Sequence, residues 1–421
     1  MAYEESNSVS TLTYPTPSLT KFRRIKLANL IFRLSYDLGP GPTFLETTAN
    51  QESKNVPNLG VHPFYLCIEK DGKAHGVFFF NSNAQEVTLG PAPHLVYRTI
   101  GGQLEFFYFP GPTPEDVIRQ YQEVIGKPML PAYWALGYQL SQWGYKKLDT
   151  MKEVVQRTQD AGVPFDVITA DIDYMYHNED FSYDFTKWKG FPEYAQKLKN
   201  QGLHLNLIMD PGIEPTKKSW LQAKQIGASF IEWPNYYLVP KEIQNKYPMA
   251  NETKVMFGVA WPDSHIAWPD FFDSSRKTET WWTEQFIKFQ KMIPYDGVWI
   301  DLNEPSSFST NEDDPWYIHK PEYFPIPHKL SPLICPLEGK FSNLESPPYP
   351  TVNVIWWDKD KPYETPVKNF LSTKTVCMVG VVNNGQYSMY DTHSLYGLVQ
   401  SIASYEALKK ATGKRGVVVS R

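Results

Sequence analysis

The chain has 421 residues, of which 21% are charged and 42% hydrophobic; this composition supports a large core and excludes an intrinsically disordered protein. Its net charge of −5, without any basic stripe, argues against a nucleic-acid partner. No apolar run reaches the roughly 18 residues of a membrane span, and residues 1–16 lack the apolar segment of a signal peptide.

The residue pattern of the chain changes near residue 58. Residues 1–57 combine a basic patch with a mixed apolar stretch, and this N-terminal segment stays unassigned. Residues 58–112 carry short runs rich in aromatic and β-branched residues, which predict part of an antiparallel β-sandwich. The pair Gly101-Gly102 between two alternating apolar runs predicts a hairpin.

Residues 113–421 alternate between helix and strand patterns. A first helix is predicted from Thr113 as N-cap with Pro114 at the first helical position. A second helix is predicted from the capping-box spacing of Thr150 and Glu153. Near-continuous apolar runs predict strands at 134–140, 165–172, 204–211, 296–303 and 415–421.

The alternation predicts an α/β fold with a parallel sheet, either a (β/α)8 barrel or a doubly wound fold. No G-x-G-x-x-G sequence follows the first strand, which disfavours the dinucleotide-binding version. A barrel needs eight strands, and five are predicted before the sequence reaches Arg421. We therefore expect a partial (β/α)8 barrel of about five strands. Its last helix is predicted from the helical spacing of Leu398, Ile402, Tyr405 and Leu408, with its end at Gly413.

Acids stand at the carboxyl ends of successive predicted strands, which is the active-site face of a barrel. They are Asp171, Asp210, Asp301 and Glu304. Each alone could be a helix N-cap. As a cluster they suit glycoside hydrolysis, in which one carboxyl attacks and another protonates the leaving group. They would also suit a divalent metal site of the enolase type with a Lys or His base.

The neighbouring residues favour the first of these chemistries. Trp299 precedes Asp301 by two residues, and Trp261 and Trp143 lie in adjoining segments. Aromatic rings suit the apolar faces of sugars, although Trp261 and Trp143 could equally pack under loops. No Lys or His ends any of these strands, as a metal-enolate site would require.

The stretch GVWIDLNEPSSF at 297–308 resembles the nucleophile signature of glycoside hydrolase family 31, the α-glucosidases, in its maltase-glucoamylase and sucrase-isomaltase group. Further stretches agree in order across residues 58–421, among them ADIDYM, MDPGIEP, WPDFF, THSLYGLVQS and TGKRGVVVSR. The resemblance implies a retaining enzyme that releases terminal α-linked glucose from maltose or starch oligosaccharides. It implies no cofactor and no metal, and it leaves the linkage preference open.

The resemblance also implies residue roles. Asp301 matches the catalytic nucleophile and Glu304 a supporting residue of the same motif. Asp171 matches the acid that binds hydroxyls of the −1 glucose, and Trp143 stands where an aromatic residue flanks the entrance. The other residues that match the −1 subsite are Ile172, Ile208, Asp210, Trp261, Trp299 and Arg421.

Several family features are expected to be absent. The general acid/base aspartate of the family lies beyond an S-R-S-T-F segment, of which this sequence reaches only the arginine. We expect the last three barrel strands, the C-terminal β domains, the trefoil module and the first half of the sandwich to be missing too. Residues 306–372, with eleven prolines, are predicted to be a loop insertion. An inactive splice or gene-model product, or a non-catalytic sugar-binding fragment, is the alternative.

Three cysteines are too few for a disulfide scaffold, and their spacing fits no zinc motif. Cys335 and Cys377 match a disulfide position of the family, whose members are secreted or lie at the brush border or in the lysosomal lumen. Two reduced, buried thiols are the alternative. The compartment of this chain stays open because neither a signal peptide nor an anchor is recognised.

Overall fold

The computed structural model describes residues 62–90, 94–262, 264–319, 330–349, 351, 355–357, 366–368 and 370–420. The chain forms two compact units. The described residues of the first lie within Met1–Met129, Leu337–Leu371 and Asp391–Ser394; those of the second lie within Leu130–Pro336, Ser372–Tyr390 and Leu395–Arg421. The predictions for residues 1–57, for Arg421 and for parts of 306–372 fall outside the described residues.

The described part of the first unit begins with antiparallel strands, as predicted. The elements are β1 (Phe64–Ile68), β2 (Ala74–Phe79), β3 (Gln85–Gly90), β4 (His94–Thr99), β5 (Phe106–Phe109) and α1 (Pro114–Ile125). One sheet has the order β1-β2-β5, and β3 pairs with β4 in another. Helix α1 buries Val117 and Tyr121 against Leu66 and Phe78 of the three-stranded sheet.

The predicted hairpin at Gly101-Gly102 is wrong. Strand β4 before the glycines pairs with β3, whereas β5 after them pairs with β2. The Asn81 side chain holds the connection by donating to the carbonyl of Gly101 at 2.9 Å and to that of Gln103 at 3.1 Å. The glycines therefore join two sheets instead of closing a two-residue turn.

Helix α1 begins at the cap that its sequence predicts. The Thr113 hydroxyl accepts the backbone N–H of Asp116 at 3.1 Å, and the Asp116 carboxylate accepts the N–H of Thr113 at 3.4 Å. We expect Thr113→Ala to lower the free energy of unfolding by about 1 kcal/mol. Thr113→Ser keeps an acceptor and should lose clearly less in urea unfolding. Equal losses for the two variants would contradict the cap's contribution.

The remaining elements follow in chain order. They are β6 (Gln139–Gln142), α2 (Leu148–Asp160), β7 (Val167–Ala170), α3 (Phe191–Asn200), β8 (His204–Ile208), α4 (Lys218–Ile226), α5 (Lys241–Gln244), β9 (Gly258–Ala260), β10 (Ser264–Ile266), α6 (Lys277–Met292), β11 (Gly297–Ile300), α7 (Ser342–Glu345), β12 (Ile355–Trp357), β13 (Pro366–Lys368), β14 (Val381–Val382), β15 (Tyr387–Ser388), α8 (Met389–Thr392), α9 (Tyr396–Thr412) and β16 (Val418–Ser420). Within the described ranges, no helix has both the length and the apolarity to cross a membrane.

The second unit is organised around a parallel sheet of five strands in the order β16-β11-β8-β7-β6. This sheet confirms the predicted α/β class and is consistent with a partial (β/α)8 barrel. Its core is strongly aromatic, because Trp220, Trp281 and Trp282 are fully buried together with Phe286. The shorter pairs β9–β10, β12–β13 and β14–β15 are antiparallel.

Two predictions at the start of this unit are wrong in detail. The first parallel strand is not 134–140, because Tyr133–Leu136 forms a 3-10 helix and β6 begins at Gln139. The predicted capping box at Thr150 does not form, because α2 already begins at Leu148. The N–H of Leu148 donates to the carbonyl of Lys187 at 3.1 Å. A tertiary hydrogen bond therefore takes the place of the side-chain cap.

The apolar residues from which α9 was predicted are buried only in part: Leu408 is fully buried and Tyr405 partly buried. Leu398 and Ile402 are 57% and 59% exposed, whereas Ala403 and Ser404 are buried. The Trp282 indole N–H of α6 donates to the Ser404 hydroxyl at 3.0 Å. Small side chains allow α9 to approach the large aromatic residues of α6, so size complementarity decides the buried face.

Candidate active site

Three aspartates meet at one edge of the parallel sheet. Asp171 directly follows β7, Asp301 directly follows β11, and Asp210 lies two residues beyond β8. The strand ends are level, since Ala170 lies opposite Leu207 in the register. Besides burial, repulsion from the Asp301 carboxylate contributes to the raised pKa of both other aspartates. The fold therefore collects acids from three strands at the end where barrels carry their active sites.

Asp210 is deeply buried, with only 1% of its surface exposed. Neither of its carboxylate oxygens has a hydrogen-bond partner among the described residues. Burial, followed by repulsion from Asp180 and Asp301, raises the pKa of Asp210 well above its ordinary value. Burial and these neighbouring charges therefore favour the protonated form of Asp210, and a protonated carboxyl can donate a hydrogen bond as well as accept one.

Asp180 is a buried acid that the sequence analysis missed. It lies between β7 and α3 and is 4% exposed. Its Oδ1 accepts the backbone N–H of Asp210 at 2.7 Å, which orients the loop that carries Asp210. Burial raises the pKa of Asp180 well above its ordinary value. No motif marks Asp180, because its contact is made with a residue 30 positions away.

Asp171 is both a helix N-cap and a member of the acid cluster, which the sequence analysis treated as alternatives. It is the N-cap of the 3-10 helix Ile172–Tyr174, because its Oδ1 accepts the N–H of Ile172 at 2.7 Å. It also belongs to the acid cluster. Burial raises the pKa of Asp171 to about 6, the hydrogen bond from Ile172 opposes the rise, and the charges of Asp173 and Asp301 add to it.

The raised pKa of Asp171 predicts a pH dependence of stability. The folded-state pKa of about 6 exceeds the ordinary 3.8, so ionisation disfavours the folded state. The stabilisation is complete below about pH 4 and is lost as the pH rises through 6, a change of about 2–3 kcal/mol. When urea unfolding is measured between pH 4 and 7, Asp171→Asn should lack this pH-dependent part of the free energy of unfolding. Asp149→Asn, whose side chain is 81% exposed, should retain it; an unchanged slope in Asp171→Asn would contradict the assignment.

A tightly held turn follows Asp301. Leu302 has a φ of 50°, a conformation that costs a non-glycine residue about 1–3 kcal/mol and persists only where its surroundings impose it. The Asn303 amide donates to the Ser420 hydroxyl at 2.9 Å. The Ser306 hydroxyl donates to the Glu304 carboxylate, also at 2.9 Å. These contacts fix the backbone that carries Asp301.

The three tryptophans singled out by the sequence differ in exposure. Trp299 in β11 and Trp261 in the β9–β10 connection are partly buried. Trp143, just beyond β6, is 58% exposed. The N–H of Gly144 donates to Asp173 at 2.8 Å, which anchors the Trp143 loop to the segment after β7. Core packing therefore covers less than half of the Trp143 surface.

Ile172 and Ile208, the two isoleucines that match the −1 subsite in sequence, are both buried. Ile172 is 9% exposed, and Ile208 is 1% exposed within the core of the second unit. The Ile208 carbonyl accepts the Tyr174 hydroxyl at 2.8 Å. In the described part of the chain, some groups of three potential metal-ligating side chains have their ligand atoms within 4.8 Å of one another. None of these groups includes an aspartate of this site.

The sequence profile described as "Glycosyl hydrolases family 31 TIM-barrel domain" matches residues 128–421. Intestinal sucrase-isomaltase of Homo sapiens is 33% identical over 395 residues, which cover 86% of this chain and 19% of that protein. Lysosomal alpha-glucosidase of Bos taurus is 34% identical over 371 residues, which cover 87% of this chain and 33% of that protein. The chain thus spans about a fifth to a third of these relatives.

Solved structures share the fold. A glucosidase II alpha subunit with bound Glc1Man2 superposes with a TM-score of 0.58 and 21% identity, covering 86% of this chain and 33% of that one. A heterodimeric complex of endoplasmic-reticulum glucosidase II superposes with a TM-score of 0.62 and 20% identity, covering 90% and 35% respectively.

Proposed function

The chain belongs to glycosyl hydrolase family 31, and from this membership and the site geometry we propose that it carries the nucleophile side of a retaining α-glucosidase site. The proposed reaction releases the terminal α-linked glucose of maltose or starch oligosaccharides. The observation that carries the proposal is the position of Asp301. It directly follows β11 beside two acids with raised pKa values and is less buried than either.

The proposed chemistry assigns roles to four groups at the sheet edge. Asp301 attacks the anomeric carbon and forms a covalent glucosyl intermediate, which water then hydrolyses. Asp171 accepts hydrogen bonds from hydroxyls of the −1 glucose. Glu304, held by the Ser306 hydroxyl, supports the turn that carries Asp301. The partly buried Trp299 contributes an aromatic wall, which suits the apolar face of a sugar ring.

We also propose that residues 1–421 alone do not supply the acid that protonates the leaving oxygen. In a retaining site this acid lies about 5–5.5 Å from the nucleophile. The position that matches the family's acid/base aspartate follows a segment of which this sequence contains Ser420 and Arg421. Of the acids whose charges reach Asp210 at this edge, Asp301, Asp171 and Glu304 have other proposed roles, and Asp180 accepts the backbone N–H of Asp210. Asp210 itself is only 1% exposed.

The test is covalent labelling of residues 1–421 with 5-fluoro-α-glucosyl fluoride, whose fluoride leaves without a proton. We expect one label per chain on the peptide that contains Asp301, and none in Asp301→Asn. Asp313→Asn, at an exposed acid of the same unit, should label like the unsubstituted chain. A label on another residue would overturn the assignment. No label on a natively folded chain would favour the non-catalytic sugar-binding alternative.

A further inference from the structure

A cluster of three different side chains lies in the first unit, on the β1–β2 hairpin. The thiol sulfur of Cys67, a carboxylate oxygen of Glu69 and a ring nitrogen of His75 all lie within 4.8 Å of one another. Thiolate, imidazole and carboxylate are the side-chain ligands that Zn²⁺ takes in proteins. We propose that these three side chains bind a zinc ion, with a water molecule completing a tetrahedral site.

The hairpin explains why the three groups converge. Cys67 on β1 lies directly opposite His75 on β2 in the antiparallel register. Glu69 follows Cys67 by two residues, so the alternation of a strand directs both side chains to the same face. The N–H of Glu69 donates to the carbonyl of Lys73 at 2.7 Å, and the N–H of Gly72 donates back to the Glu69 carbonyl at 3.0 Å. The ligands therefore come from a closed, hydrogen-bonded scaffold.

The spacing of the ligand atoms suits a zinc ion. Zn–N and Zn–O bonds of about 2.0–2.1 Å at a tetrahedral angle separate the two ligand atoms by about 3.3 Å. Nδ1 of His75 and Oε1 of Glu69 already lie 3.1 Å apart. Cys67 is only 1% exposed, whereas the side chains of His75 and Glu69 are 14% and 28% exposed. The two partly exposed side chains can thus adjust toward a sulfur that is held in place.

A cysteine packed in a core beside a His–Glu ion pair would place the same residues together without binding a metal. The two interpretations differ in what happens to the thiol, because a metal ligand must lose its proton. Burial raises the pKa of the Cys67 thiol to about 11, so the ion must displace that proton, and titrations are best run at pH 8.

The first experiment titrates Co²⁺ into EDTA-treated residues 1–421 and follows the ultraviolet charge-transfer absorption of a thiolate–Co²⁺ bond. Cys335 and Cys377 are joined as a disulfide, so this absorption can come only from Cys67. We expect the signal to saturate at one Co²⁺ per chain, to be reversed by Zn²⁺, and to be lost in Cys67→Ser. Absence of the signal, or its persistence in Cys67→Ser, would overturn the proposal.

The second experiment tests the carboxylate and does not depend on the thiol. Zn²⁺ affinity, measured by competition with a chromophoric chelator, should fall at least tenfold in Glu69→Gln. The control Glu123→Gln makes the same change at an exposed position of α1 and should leave the affinity unaltered. Equal affinities for Glu69→Gln and Glu123→Gln would remove Glu69 from the site and overturn the three-ligand proposal.

Discussion

Residues 1–421 should hydrolyse α-glucosyl fluoride far better than maltose, with a ratio of kcat/KM of about 10²–10⁴. The reason is proton transfer: a general acid contributes about this factor when the leaving group is an alkoxide. Fluoride leaves without a proton, whereas the glucose released from maltose requires one. The prediction follows from the proposal that Asp301 is present while its acid partner is not among these 421 residues.

The controls separate nucleophile from acid. Asp301→Asn should abolish turnover of the fluoride, whereas Asp313→Asn at an exposed acid should retain it. Maltose turnover at an ordinary enzymatic rate of about 1–10³ s⁻¹, abolished by Asp301→Asn, would contradict the prediction. An acid within this chain would then supply the proton. Asp171, whose pKa burial raises to about 6, would be the first residue to test.

Loss of the disulfide should destabilise the chain by about 4 kcal/mol. Cys335 and Cys377 are separated by 42 residues, and their Cα atoms lie 5.3 Å apart, which confirms the pairing that the resemblance implied. Opening a loop of this length returns entropy to the unfolded chain, and the chain-entropy treatment assigns that gain about 4 kcal/mol. Both cysteines are buried, so the bond joins packed segments.

The measurement compares urea unfolding of the unsubstituted chain with that of the double variant Cys335→Ser, Cys377→Ser under non-reducing conditions. Adding a reductant should lower the stability of the unsubstituted chain toward that of the double variant. It should leave the double variant itself unchanged. A loss below about 1 kcal/mol would contradict the prediction, because the segment between the cysteines would then gain little freedom when the bond is absent.

The acid cluster shows how much of the candidate site local sequence patterns can predict. A parallel strand that ends in an acid can be recognised from its apolar run, and the edge of a sheet then brings such ends together. Asp171, Asp210 and Asp301 were found in this way. Asp180 was not, because it follows no strand and acts through one hydrogen bond to the backbone of Asp210. Its contribution depends on how a loop folds back over the sheet.

The amino-acid sequence by itself determined the class of the fold, the existence of the parallel strands, the cap of α1 and the twelve-residue motif around Asp301. These features depend on neighbours within one strand or one helical turn, so the local chain specifies them. Only the tertiary structure decided that β5 pairs with β2, that α9 buries Ser404 instead of Leu398, and that Cys67 meets His75. Such contacts join segments that are distant in sequence. Which segments pair depends on how well they pack together and satisfy each other's hydrogen bonds in the folded chain.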